Sequence, residues 1–286
     1  MKILVIGGSG LVGSAIVRRL RESGFDVIGT YENSPAEEAT VQLDKTDDSA
    51  VATTISGRDP DVVIDSAAFH DVDECETRRN EAWDVNATGT RNVAIAAESV
   101  GAHFVFFSTD YVFPDDSEQA PYTESDPVNP INYYGQIKYA GEQATKIASK
   151  WTILRSSVIY GTSRTNFLTW VLDELEAHGD VEVVHDQVSA PTYADDLGEA
   201  CVQVIKQSLT GLFHAAGPES LSRYEFACRL AEAFGHSPGD ICPIPTGELE
   251  QRAPRPSDSS LDSTRLYDAI DYTFQNSETV FEDLCL

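Results

Sequence analysis

Residues 2–22 read KILVIGGSGLVGSAIVRRLRE, and this stretch decides the fold. KILVIG (2–7) is an apolar run of strand length. LVGSAIVRRLRE (11–22) carries its apolar residues at helical spacing and ends in charge. Gly7, Gly10 and Gly13 lie at the junction, in GGSGLVG. A dinucleotide needs such a junction: the tight turn and bare backbone admit its pyrophosphate, and the helix N-terminus offers unpaired N–H groups and partial positive charge. Three glycines at this spacing also occur by chance. Their place after an apolar strand and before a helix gives them weight, against the alternative of a tight strand–helix turn that binds nothing.

The same alternation continues outward. FDVIGTY (25–31), DVVIDSAA (61–68), AHFVFFST (102–109) and WTILRSSVIYG (151–161) read as strands, and NATGTRNVAIAAESVG (86–101) as a helix between them. Strands alternating with helices predict a Rossmann-type doubly wound α/β fold, a parallel sheet covered on both faces. Beyond Gly161, helices are expected over 166–178, 195–209 and 221–235, separated by proline-containing loops. We expect residues 1–160 to form the NAD(P)-binding part, with later segments returning to it, and 161–286 to form mainly a smaller substrate-binding cap.

Charge and composition exclude several functions. Forty-seven acidic residues face twenty basic ones, six lysines and fourteen arginines, for a net charge of −27. Dispersed acidity with little lysine resembles proteins of salt-loving organisms, where molar salt screens self-repulsion within about 3 Å. This field repels nucleic acid and anionic membrane, and no apolar run is long enough to span a bilayer. The expected location is the cytoplasm, and the expected assembly a monomer or homodimer. Five scattered cysteines and six histidines form no ligand spacing, so no metal site is expected.

In INYYGQIKYAGE (131–142), Tyr134 precedes Lys138 by four residues, one helical turn. AHFVFFST ends in Ser108 and Thr109, where a strand of such a sheet meets its ligand. Thr109 can then hydrogen-bond a substrate carbonyl and Tyr134 can protonate it while a nicotinamide delivers hydride. Lys138 is expected to lower the tyrosine pKa and to hold ribose hydroxyls. A solvated Tyr–Lys pair is the alternative reading. The second strand ends in Thr30 and Tyr31 with Glu32 beyond and no arginine nearby, which leaves NADP(H) ahead of NAD(H) by a narrow margin. Asp44, in VQLDKTDD, either contacts the adenine edge or is simply solvated.

GGSGLVG, STDYVF and YGQIKYAGE, in that order, resemble the extended short-chain dehydrogenase/reductases. AAFHDVDECE (67–76), RSSVIYG (155–161), DQVSAPTYADDL (186–197) and RPSDSSLD (255–262) narrow the resemblance to the dTDP-4-dehydrorhamnose reductase family. It implies Thr109, Tyr134 and Lys138 as catalytic residues and reduction of the 4-keto group of a sugar nucleotide. Expected cofactor contacts are Gly7, Gly10, Leu11, Val12, Gly13, Asp44, Ala67 and Ala68, with Tyr134 and Lys138. Expected substrate contacts are Thr109, Asp110, Asn166, Gln187 and Arg255, the arginine meeting the diphosphate. Asn86 is expected to support a proton relay. The chain departs from the family at Asp65, where asparagine is common, and at Val158, where tryptophan often stands. Acidic residues that bind Mg²⁺ in some members are unmatched, with Ser14 and Ala15 in the first helix. A 4,6-dehydratase would carry glutamate where Tyr111 stands, and epimerases usually have a small residue at Asp110. A regulatory subunit resembling the methionine adenosyltransferase β subunit is the alternative of another class.

Overall fold

Short apolar runs become the strands of one parallel sheet: β1 (Lys2–Ile6), β2 (Asp26–Tyr31), β3 (Val41–Gln42), β4 (Val62–Asp65), β5 (His103–Thr109) and β6 (Trp151–Ser156). The computed structural model describes residues 1–285. With the strand Gly211–His214 at one edge, the order is Gly211–His214, β6, β5, β4, β1, β2, β3. All seven strands run parallel. Every residue of β5 is buried, which a central strand covered on both faces requires. The chain leaves β1 for β2 on one side and later returns to β4 on the other, so the ends of β1 and β4 form the crevice where such sheets bind ligands.

The helices follow as α1 (Leu11–Glu22), α2 (Asp48–Arg58), α3 (Val72–Thr77), α4 (Arg79–Trp83), α5 (Thr90–Ser99), α6 (Tyr133–Thr145), α7 (Phe167–His178), α8 (Ala194–Gln207) and α9 (Arg223–Ala233). Ile16 and Leu20 of α1 and Leu197 and Ile205 of α8 pack one face of the sheet, against Ile3, Val5 and Val105. Val51 and Ile55 of α2 and Val93 and Ala97 of α5 pack the other, against Leu4, Phe104 and Phe106. Full burial of each large aliphatic side chain contributes about 1.5–3 kcal/mol. A second core joins Leu168, Val171, Phe226, Leu230 and Phe281 around Tyr160, beneath a parallel pair formed by Val181–Val184 and Ile241–Ile244.

Two elements differ from expectation. The helix expected over 86–101 is preceded by a π-helical stretch, Asp84–Gly89, that runs into α5. The strand expected over 151–161 breaks after Ser156. Thr192 captures the next two carbonyls, its hydroxyl donating to Ser157 O at 2.6 Å and its amide to Val158 O at 3.0 Å. Val158 takes φ 38°, a costly angle for a β-branched residue. Ile159–Tyr160 then pairs with Thr192–Tyr193 in a separate ladder. Among the described residues, no helix is long and apolar enough to cross a membrane.

Candidate active site

The glycine turn is shaped by contacts that only glycine permits. Gly7 has φ +81°, and a Cβ on Gly13 would lie 2.1 Å from Gly7 O. The first turn of α1 therefore presses on the end of β1, and Gly10 N donates to Gly7 O at 2.9 Å. Gly10 caps α1 without a side-chain hydrogen bond, and no acidic residue occupies the first helical turn. The leading N–H groups and the positive end of the helix dipole remain available to an anion, which fits the pyrophosphate of a dinucleotide. A Cβ on Gly7 would meet Ala67 at 2.8–2.9 Å, so the Ala67–Ala68 segment after β4 closes the other side. Arg164 reaches this turn from the second half of the chain, donating from Nε to Ser9 O at 2.9 Å. The 155 residues between the two leave this contact without a local signal in the sequence.

Helix α6 delivers Tyr134 and Lys138 to the ends of β5 and β6. Asn132 caps it, accepting from Gly135 N at 2.8 Å and donating to Pro254 O at 3.0 Å. Glu142, later in the same helix, accepts from Ser108 at 2.6 Å and from the Arg155 guanidinium at 2.8 and 2.9 Å. All three are buried, so β5, β6 and α6 are tied together behind the site. The Glu142–Arg155 pair, linking a helix to a strand, was not legible in the sequence.

The pKa relation expected for Tyr134 and Lys138 is corrected. Burial pushes the Tyr134 phenol up, and the Asp110 charge adds to the rise against the Thr109 hydroxyl. Lys138 donates from Nζ to Phe107 O at 2.6 Å and lies 4.3 Å from the centroid of the Phe106 ring. Burial, then the Lys45 charge, bring its ammonium down to about 7. Desolvation outweighs pairing here: neither charged form is favoured where water is excluded.

Thr109 and Asp110 end β5 together. The Thr109 hydroxyl donates to Asp110 Oδ1 at 3.0 Å and accepts from Tyr111 N at 3.2 Å. Tyr111 meets Tyr134 edge to face, with centroids 6.3 Å apart. Burial raises the Tyr111 pKa, while the positive charges of Arg223 and Arg255 act against the rise. Arg223, the first residue of α9, stacks its guanidinium 4.9 Å from the Phe167 centroid. No ion pair holds Arg223 among the described residues.

A family model described as the RmlD substrate binding domain matches residues 1–283. The chain belongs to this family. A probable low-salt glycan biosynthesis reductase, Agl14, from Haloferax volcanii is 33% identical, with 92% of this chain and 90% of that protein covered. The methionine adenosyltransferase 2 subunit beta of Xenopus tropicalis is 31% identical, covering 93% of this chain and 81% of its own length. The crystal structure of dTDP-4-dehydrorhamnose reductase from Bacillus anthracis in complex with NADP superposes with a TM-score of 0.91 at 31% identity, covering 99% of this chain and 97% of that one.

Within the RmlD fold, several expected site residues are engaged elsewhere. Asp110 is buried and accepts from Ser157 at 2.8 Å and Ser259 at 2.6 Å, so it joins strand end to C-terminal segment. Asn166 caps α7 and spends its amide on Gly161 O at 2.7 Å and Arg164 O at 2.9 Å. Gln187 donates to Thr246 at 3.0 Å and Gln251 at 2.8 Å. Arg255 grips Asp73 at 3.0 and 3.3 Å. Burial works against the Asp73 carboxylate, but the Ala253 amide and Arg255 hold its pKa below the usual range. Asn86 clamps the Phe69 backbone through two 2.9 Å bonds. Asp44 is exposed and accepts from the Thr46 amide at 2.8 Å and hydroxyl at 2.7 Å. Leu11 and Val12 open α1.

Proposed function

We propose that this chain is an NAD(P)H-dependent reductase of a nucleotide-activated deoxy sugar, acting on its 4-keto group. The observation that carries this is Tyr134, a half-buried phenol beside Thr109 at the end of β5 whose pKa desolvation holds above the ordinary value. A reductase needs its donor in the acid form at the start of the reaction. When bound, the reduced nicotinamide supplies hydride. Gly7, Gly10 and Gly13 with the N-terminus of α1 bind its pyrophosphate, while Lys138 holds ribose hydroxyls. Thr109 hydrogen-bonds the sugar carbonyl, and Tyr134 passes its proton to that oxygen. The phenolate left behind is stabilised by the Lys138 ammonium, so the pair works after proton transfer and not before it.

Arg223, with no carboxylate partner among the described residues, offers the donors that a sugar nucleotide's diphosphate requires in so acidic a protein. Arg164, which brings a guanidinium to the glycine turn, and a β2 ending in Thr30 and Tyr31 support a reading of NADPH ahead of NADH. A cytoplasmic enzyme working in high salt and feeding glycan synthesis fits the acidic composition. The test is to incubate the protein in molar salt with NADPH and a dTDP-4-keto-6-deoxy sugar and follow the nicotinamide absorbance. Saturable oxidation is expected. No oxidation with this sugar, or with UDP- and GDP-linked keto sugars, would refute the enzymatic assignment.

The likeness to a methionine adenosyltransferase β subunit favours a second reading, a nucleotide-binding regulatory chain. Such a chain co-purifies with a larger catalytic partner, whereas a reductase runs alone or as a homodimer.

A further inference from the structure

Two of the six lysines are buried, Lys45 and Lys138. Lys138 is accounted for by the reaction. Lys45 is not. Its Nζ donates to Asp65 Oδ2 at 2.6 Å, to Ala67 O at 3.0 Å and to Thr90 Oγ1 at 3.1 Å, which uses all three ammonium hydrogens. Asp65 in turn accepts from the Ala67 amide at 3.2 Å and the Thr90 hydroxyl at 3.2 Å.

The surrounding chain makes room for this pair. A Cβ on Gly89 would lie 2.9 Å from both Cγ and Cε of Lys45, so the π-helical stretch passes a bare backbone over the lysine stem. Asn92 donates to Lys45 O at 3.2 Å. The pair reaches the site in two ways. Ala67 packs on Gly7, and the Lys138 ammonium feels Lys45 and Asp65 with opposite sign.

We propose that Lys45 and Asp65 are positioning residues for the reductase reaction: a neutral buried pair that fixes the Ala67–Ala68 segment against the glycine turn and balances the charge around Lys138. The other groups facing Lys138 do not replace it. Glu142 is committed to Arg155, the Cys75 thiol is pushed up to about 12 and stays neutral, and the Tyr134 phenol is likewise raised. Removing one partner leaves the other charge buried and unbalanced.

This inference rests on the reductase assignment for its meaning, but its test does not require turnover. Lys45→Met, Asp65→Asn and the double variant are compared with the wild-type chain by nicotinamide fluorescence, with NADPH affinity followed across the neutral pH range. Asp65→Asn leaves an unopposed cation, so the pH at which affinity falls is expected to move down by about half a unit; Lys45→Met is expected to move it up by a similar amount. The double variant should return near wild type in both midpoint and affinity. Thermal melts run alongside, because loss of packing alone would lower stability in both single variants without displacing their midpoints in opposite directions. Midpoints that stay put, or that move the same way in both single variants, would overturn the proposal. So would a double variant no better than the singles.

Discussion

Gly7, Gly10 and Gly13 lie within seven residues of one another, whereas the cluster beside Tyr134 on the substrate side is gathered from Asp73, Tyr111, Arg223 and Arg255. The cofactor side needs bare backbone, which a short local motif supplies. The substrate side needs charge at a distance, which only the folded chain assembles. Tyr134 meets Tyr111 of the second cluster, on a helix that Lys138 ties to β5. The cofactor side is thus fixed by steric limits and tolerates little, while the substrate side is fixed by pairs that can be altered one at a time.

Substitutions can break that comparison. The largest effect is expected at the junction. Tyr134→Phe keeps the ring and its edge contact with Tyr111 but removes the proton, so kcat should fall about 10²–10⁴-fold while the NADPH Kd measured by fluorescence stays near wild type. A variant that retains turnover would mean the donor has been misassigned.

Next come the two sides in parallel. Gly13→Ala forces a Cβ against Gly7 O; overpacking of this kind costs about 1–3 kcal/mol, up to about a hundredfold in NADPH affinity. Arg223→Ala should instead raise the KM for the sugar nucleotide about tenfold, since one charge-assisted hydrogen bond near solvent is lost, and leave NADPH binding unchanged. If Gly13→Ala disturbs only the sugar KM, or Arg223→Ala only the cofactor, the division between the two sides is wrong.

The same contrast explains what could be read from the sequence. β1, α1 and β5 were legible because their apolar periodicity is local and their burial complete. The break at Val158 was not, because it depends on Thr192 taking the Ser157 and Val158 carbonyls from across the chain. The spacing of Tyr134 and Lys138 on one helical turn and the place of Thr109 at a strand end were legible. The sign of the Tyr134 shift was not, since sequence gives the neighbour on a helix but not the water excluded around it. Asn166 and Gln187 were expected at the substrate, and their amide nitrogens bond to the protein's own loops. A polar side chain in a motif does not reveal whether a cap or a ligand claims it. Arg164, Arg223 and the Lys45–Asp65 pair carried no local signal at all.

The claim on which the mechanism turns is that one hydrogen travels from a nicotinamide to the sugar's ketone carbon while Tyr134 supplies the other. It is tested most directly by running the reaction in ordinary water with NADPH deuterated at the transferable position of its nicotinamide ring and analysing the product by mass spectrometry and NMR. A single deuterium bonded to C4 of the sugar is the predicted result. An unlabelled product, or a labelled cofactor left unconsumed while the sugar is converted, would contradict it.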